Sequence, residues 1–205
     1  MKRYTLEEGR QLVKAARNSI EIFISTANFR REAVEATLSG FDARHGVFVT
    51  LYHYPTRTLR GCIGFTEGVK PIKRLIVDAA VAAAAEDPRF VPVMEPELDR
   101  ITVEVSVLSD AERIRGEGEA LKDQIRIGTD GLIIEYGYHR GLLLPIVAVE
   151  QGWGAEEFLN NLCVKAGLQP HMWKQHGVLL YRFTTQVFTE VEPRGRVEEV
   201  KSEMP

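Results

Sequence analysis

Val47-Phe48-Val49-Thr50-Leu51-Tyr52, broken at Pro55 and resumed as Leu59-Arg60-Gly61-Cys62-Ile63-Gly64, is the stretch on which the fold turns. The first arm is β-branched and aromatic, the composition of a strand. Leu59 to Ile63 returns as the second arm of a hairpin, which places Cys62 near a strand end beside a turn. Further on, Ile101, Val103, Val105 and Val107 alternate with Thr102, Glu104 and Ser106. That period of two predicts a strand with one apolar and one polar face.

Helical signals lie between these strands. Thr5 and Glu8 have capping-box spacing, and Leu12, Val13, Ala16, Ile20 and Phe23 follow at helical intervals, predicting a helix over 6–24. Residues 25–45 carry at most a short helix. Pro71 suits a helix start, and the alanine-rich run from Ile72 to Glu86 continues it until Asp87-Pro88 stops it. Residues 109–124 read as a solvated connection, with a short helix near Leu121. Turn signals at 128–131 and 137–141 frame a hairpin over 132–144. Glu156 to Ala166 is a helix closed by Gly167. Leu179 to Phe188 reads as one long strand. Helices and hairpins without a strand–helix–strand period predict an α+β fold, mostly antiparallel. The expected organisation is one domain with two lobes over 1–190 and a loose charged tail over 191–205.

The chain has 205 residues, 44% hydrophobic and 27% charged, with a formal net charge of −3. A negative total without a basic helix argues against nucleic acid as partner. Two cysteines make no disulfide framework, and no run of about 18 apolar residues is present to span a bilayer. The N-terminus has no apolar signal core, so the expected location is cytoplasmic, away from membranes. Residues 52–76 carry Arg57, Arg60, Lys70, Lys73 and Arg74 against Glu67, whereas 77–123 is acidic.

Cys62 is therefore the candidate centre. A nearby cation lowers a thiol pKa, and side chains two apart on a strand share a face, so Arg60 is expected to stabilise a Cys62 thiolate or hold an anion. The bland alternative is a small buried apolar side chain. A nucleophile needs an acid–base group; the candidates are His53 on the facing arm and Glu104 on its polar strand face, with His45 and His139 behind them. Arg60, Gly61, Gly64 and Thr50 are the ligand-binding candidates. Cys163 repeats with Leu159 and Leu162 and reads as core. No metal motif, serine elbow, phosphate loop or dinucleotide fingerprint is present, and no cofactor is specified. Two hypotheses stand: a cysteine-dependent enzyme, and a non-enzymatic module binding an anionic small molecule, a peptide or a partner domain.

Leu59-Arg60-Gly61-Cys62-Ile63-Gly64 resembles the signature of the AMMECR-one family. Further blocks are similar: His45 to Leu51, Asp87-Pro88-Arg89-Phe90, Glu97-Leu98, Glu104 to Leu108, Gly131-Leu132, and Gly141 to Pro145 with Val147-Ala148. One position departs, Ile146, where the family commonly has glutamine. The resemblance implies an α+β fold with two unequal lobes and a cleft lined by the signature residues. It implies no single activity. It associates the chain with a Memo-type or radical S-adenosylmethionine protein as partner in a modification pathway.

Overall fold

The strands read at 47–52, 59–63 and 101–107 lie side by side in the computed structural model, which describes residues 3–26 and 28–200. Among the described residues, nine strands form two sheets: β1 (Val47–His53), β2 (Thr58–Phe65), β3 (Ile101–Leu108), β4 (Glu112–Ile114), β5 (Gly131–Tyr136), β6 (His139–Leu143), β7 (Leu179–Phe183), β8 (Thr185–Glu190) and β9 (Val197–Val200). The first sheet has the order β2-β1-β3-β8-β9 and the second β4-β7-β5-β6. Helices α1 (Leu6–Ser25), α2 (Arg31–Glu35), α3 (Ile72–Ala85), α4 (Pro145–Gln151) and α5 (Ala155–Lys165) complete an α+β, mostly antiparallel fold.

The chain divides into two compact units. Residues up to 108 and from 186 form one around the five-stranded sheet; residues 109–185 form the other.

In the first unit, Thr5 caps α1 as its spacing predicts. The Glu8 N–H donates to Thr5 Oγ1 at 3.2 Å, and the Thr5 N–H donates to the Glu8 carboxylate at 2.8 Å. Leu12, Val13, Ala16 and Ile20 are buried, but the stripe ends there. Phe23 is exposed and meets Phe29 edge-on at 5.8 Å. α3 turns Ile72, Leu75, Ile76, Ala79, Ala80 and Ala83 into the core shared with Val47, Val49, Leu51 and the β3 valines. Its small side chains let β2 approach closely: a Cβ on Gly61 would lie 2.2 Å from the Ala83 carbonyl oxygen. The buried Arg17 of α1 pairs with Glu190 of β8, and also donates to the carbonyls of Leu98 at 3.1 Å and Ile101 at 2.7 Å.

Every residue of β3 is buried, those of its polar face included. Two expectations change in this unit and at its borders. The expected long strand from Leu179 divides into β7 and β8, which belong to different sheets. The tail reading fails over 197–200, where β9 pairs with β8 from Val187↔Val200 to Glu190↔Val197. Glu198 and Glu199 lie side by side between Val197 and Val200, and a charged sheet edge needs no apolar periodicity. Residues 201–205 lie outside the described ones.

In the second unit, Phe158, Leu159, Leu162 and Cys163 of α5 pack with Leu132, Ile134, Trp173 and Leu180. Gly167, at φ +74, closes α5. The Gly167 N–H donates to Val164 and the Leu168 N–H to Cys163, the crossed pair that satisfies a helix's last carbonyls. β4 and α4 were not foreseen, being too short to show periodicity; Ile146 stands half exposed on α4.

Candidate functional site

Register decides which sequence candidates meet. Thr50 of β1 is opposite Cys62 of β2 on one side and opposite Glu104 of β3 on the other. Cys62, Thr50 and Glu104 thus form one row across three strands, on one face of the first sheet. The Thr50 hydroxyl donates to Cys62 Sγ at 3.3 Å.

Arg60 does not join them. The pairing of β1 with β2 runs Leu51↔Gly61 and then Tyr52↔Leu59, so Arg60 is the extra residue of a bulge. A bulge breaks the two-residue alternation, and the expected shared face of Arg60 and Cys62 is lost. Arg60 is buried and makes a two-pronged pair with Glu97, Nε to Oε1 at 2.7 Å and Nη2 to Oε2 at 3.1 Å. That pair holds the Glu97 carboxyl below its ordinary range, with a smaller contribution from His53. β1 is regular against β3, so His53, three residues beyond Thr50, turns to the opposite face. Arg60 and His53 therefore belong with Glu97, away from the thiol.

The glycine candidates have packing roles. Gly61 admits the Ala83 carbonyl, and a Cβ on Gly64 would lie 2.3 Å from the Phe48 ring.

Two residues unforeseen as site members hold the Cys62 backbone. β2 is an edge strand, and its outward Cys62 N–H donates to Asp87 Oδ2 at 2.8 Å. Arg89 Nη2 donates to the Cys62 carbonyl at 3.3 Å and to Asp87 Oδ2 at 2.7 Å. The Arg89 hydrogen bond holds the Asp87 carboxyl far below its ordinary range, with the two backbone N–H groups adding to it against the effect of burial. The sequence signal is the Asp87-Pro88-Arg89 run itself, which reads as a helix stop and as a block of the family resemblance but not as part of the site.

Burial pushes the Cys62 thiol pKa up. The Thr50 hydrogen bond and the Arg89 charge pull the other way, while Asp87 and Glu104 add to the rise. The depressed pKa expected from the basic neighbourhood is corrected: the guanidinium nearest in sequence is spent on Glu97. Both cysteines are free.

Above the row, the hairpin-tip residue Arg57 folds back. Its guanidinium lies 4.6 Å from the Tyr52 ring centroid, and its Nη2 donates to Glu104 Oε2 at 3.2 Å. Among the described residues, no group of three or more His, Cys, Asp or Glu is placed to hold a metal ion, and no helix is long and apolar enough to cross a membrane.

The AMMECR1 family profile matches residues 13–188, which include this row, the bulge and the Asp87–Arg89 clamp. The chain belongs to the AMMECR1 family. A protein of Methanocaldococcus jannaschii is 48% identical over 202 residues, covering 98% of this chain and 99% of its own. A Thermococcus kodakarensis protein is 45% identical over 194 residues, 93% of this chain and 94% of its own. The crystal structure of an uncharacterized protein from Pyrococcus horikoshii superposes with a TM-score of 0.88 at 43% identity, covering 95% of this chain and 97% of that one. This AMMECR1 chain therefore shares both fold and length with archaeal relatives.

Proposed function

We propose that this AMMECR1 protein is a cytoplasmic binding module that holds its ligand on the Cys62–Thr50–Glu104 row, with Cys62 as a neutral contact and not as a nucleophile. The observation that carries this reading is the row itself: a hydroxyl donates to the sulfur, and a carboxylate stands next in line on the side where a base would serve. A carboxylate near a thiol disfavours the thiolate, and the nearest sequence histidine faces away. The reading differs from an anion site, because the charge offered by the row is negative. A Memo-type or radical S-adenosylmethionine protein, implied by the family resemblance, is the partner to seek by co-purification.

Protection of Cys62 from alkylation tests binding directly. Native protein is incubated with a small-molecule extract of archaeal cells, treated with iodoacetamide, and Cys62 modification is read by peptide mass spectrometry. Extract is expected to slow modification of Cys62 in wild type. Equal modification with and without extract contradicts the binding reading.

A further inference from the structure

We infer that Tyr52 and Glu104 form a guanidinium subsite, occupied in cis by Arg57, that takes the arginine-like group of a ligand when the hairpin tip swings out. The inference rests on the binding reading above and names its ligand chemistry.

The Arg57–Glu104 pair is lopsided. The Glu104 side chain is 11% exposed, that of Arg57 55%. The structural pair of the same unit, Arg17 with Glu190, is buried on both sides at 5% and 4%, and its arginine also donates to two carbonyls. A carboxylate as deep as Glu104 is stable beside a cation. Here that cation arrives from a hairpin tip, not from the framework of helices and strands. Arg57 sits at φ 54, the left-handed region that is uncommon for residues other than glycine and aspartate-like ones. Strain of this kind persists where surroundings hold it, and is found at switch segments. The holding contacts are the Arg57 N–H to the His53 carbonyl at 2.8 Å, the Tyr52 ring and Glu104.

The geometry around Arg57 is a recognition geometry. A ring face beneath a guanidinium and a carboxylate at its edge use both properties that separate arginine from lysine: stacking of the planar group and a fork of N–H donors. Thr50 and Cys62 extend the same row away from Glu104, so a bound side chain has a hydroxyl and a thiol beside it. Exchange of Arg57 for a ligand guanidinium conserves charge. Glu104 keeps a cation throughout, and the opposing term is the internal competition of Arg57. Competition of that kind lowers apparent affinity by the fraction of sites left open.

The test uses the full chain with Arg57→Gly, which removes the competitor and suits a positive φ. Isothermal titration with N-acetyl-arginine-amide, free arginine and N-acetyl-lysine-amide compares it with wild type. The arginine amide is expected to bind Arg57→Gly at least about tenfold tighter than wild type. The lysine amide is expected to gain much less, and comparison with free arginine separates a peptide from an amino acid as source. Adding Tyr52→Leu, which leaves the carboxylate in place, is expected to remove most of the gain, as is Glu104→Gln. Equal binding of arginine and lysine amides, or no gain in a natively folded Arg57→Gly, overturns the inference. If extract still protects Cys62 in that case, the binding reading stands and only the guanidinium chemistry is refuted.

Discussion

Thr50 Oγ1 donates to Cys62 Sγ at 3.3 Å across the β1–β2 hairpin, and this bond opposes the effect of burial on the thiol. It lowers the thiol pKa, but burial outweighs it and the net shift is upward. Thr50→Val keeps the shape of the side chain and removes the donor. The pKa is expected to rise further, and alkylation of Cys62 at fixed pH to slow by up to about tenfold. An unchanged or faster rate would show that the hydroxyl does not stabilise the thiolate.

Asp87 predicts an acid-sensitive edge. Its folded-state pKa lies below its unfolded value. A carboxylate of that kind contributes stability that is fully present above the unfolded pKa, near 4, and is lost as pH falls through the folded one. Urea unfolding is expected to show stability falling from about pH 5 downward, and Asp87→Asn to be less stable by roughly 1–3 kcal/mol at neutral pH with a shallower acid slope. An unchanged acid slope in the variant would remove Asp87 from that role.

Arg17 and Glu190 predict a stability difference between breaking a pair and replacing it. Arg17→Met alone leaves the Glu190 carboxylate buried beside the Val103 N–H and is expected to cost about 3–5 kcal/mol. Arg17→Met with Glu190→Leu is expected to recover part of that loss, since no bare charge remains. Chemical denaturation of the two variants checks the order.

Gly61 predicts a packing limit. A methyl group there meets a backbone oxygen at 2.2 Å, which cannot rotate aside. Gly61→Ala must separate β2 from α3 and is expected to destabilise by about 1–3 kcal/mol. A thermal melt equal to wild type would show that the approach is looser.

The contrast between Thr50 and Arg60 shows what a sequence of this kind discloses. The hairpin, the alternating strand at 101–107 and the helices at 6 and 72 follow from local pattern, and strand pairing then brings Cys62, Thr50 and Glu104 into one row. Arg60 was misplaced because a single extra residue reverses a side chain's direction, and no composition signals the bulge. The division of 179–188 into two strands was hidden for a related reason: Thr184 continues the alternation although the chain changes sheet there. Asp87 and Arg89 reach Cys62 from 25 and 27 residues away, and neither periodicity nor charge count reports such a contact. β9 lacks an apolar stripe because an edge strand has fewer neighbours to satisfy.

The pH dependence of Cys62 alkylation in the native wild-type protein tests the central claim most directly. Iodoacetamide modification, followed residue by residue by mass spectrometry, is expected to climb steadily with pH and to be still climbing beyond the ordinary thiol range, past about pH 8.5, with no plateau below it. A rate already at its plateau near pH 7 would show a standing thiolate and contradict a binding row built around a neutral thiol.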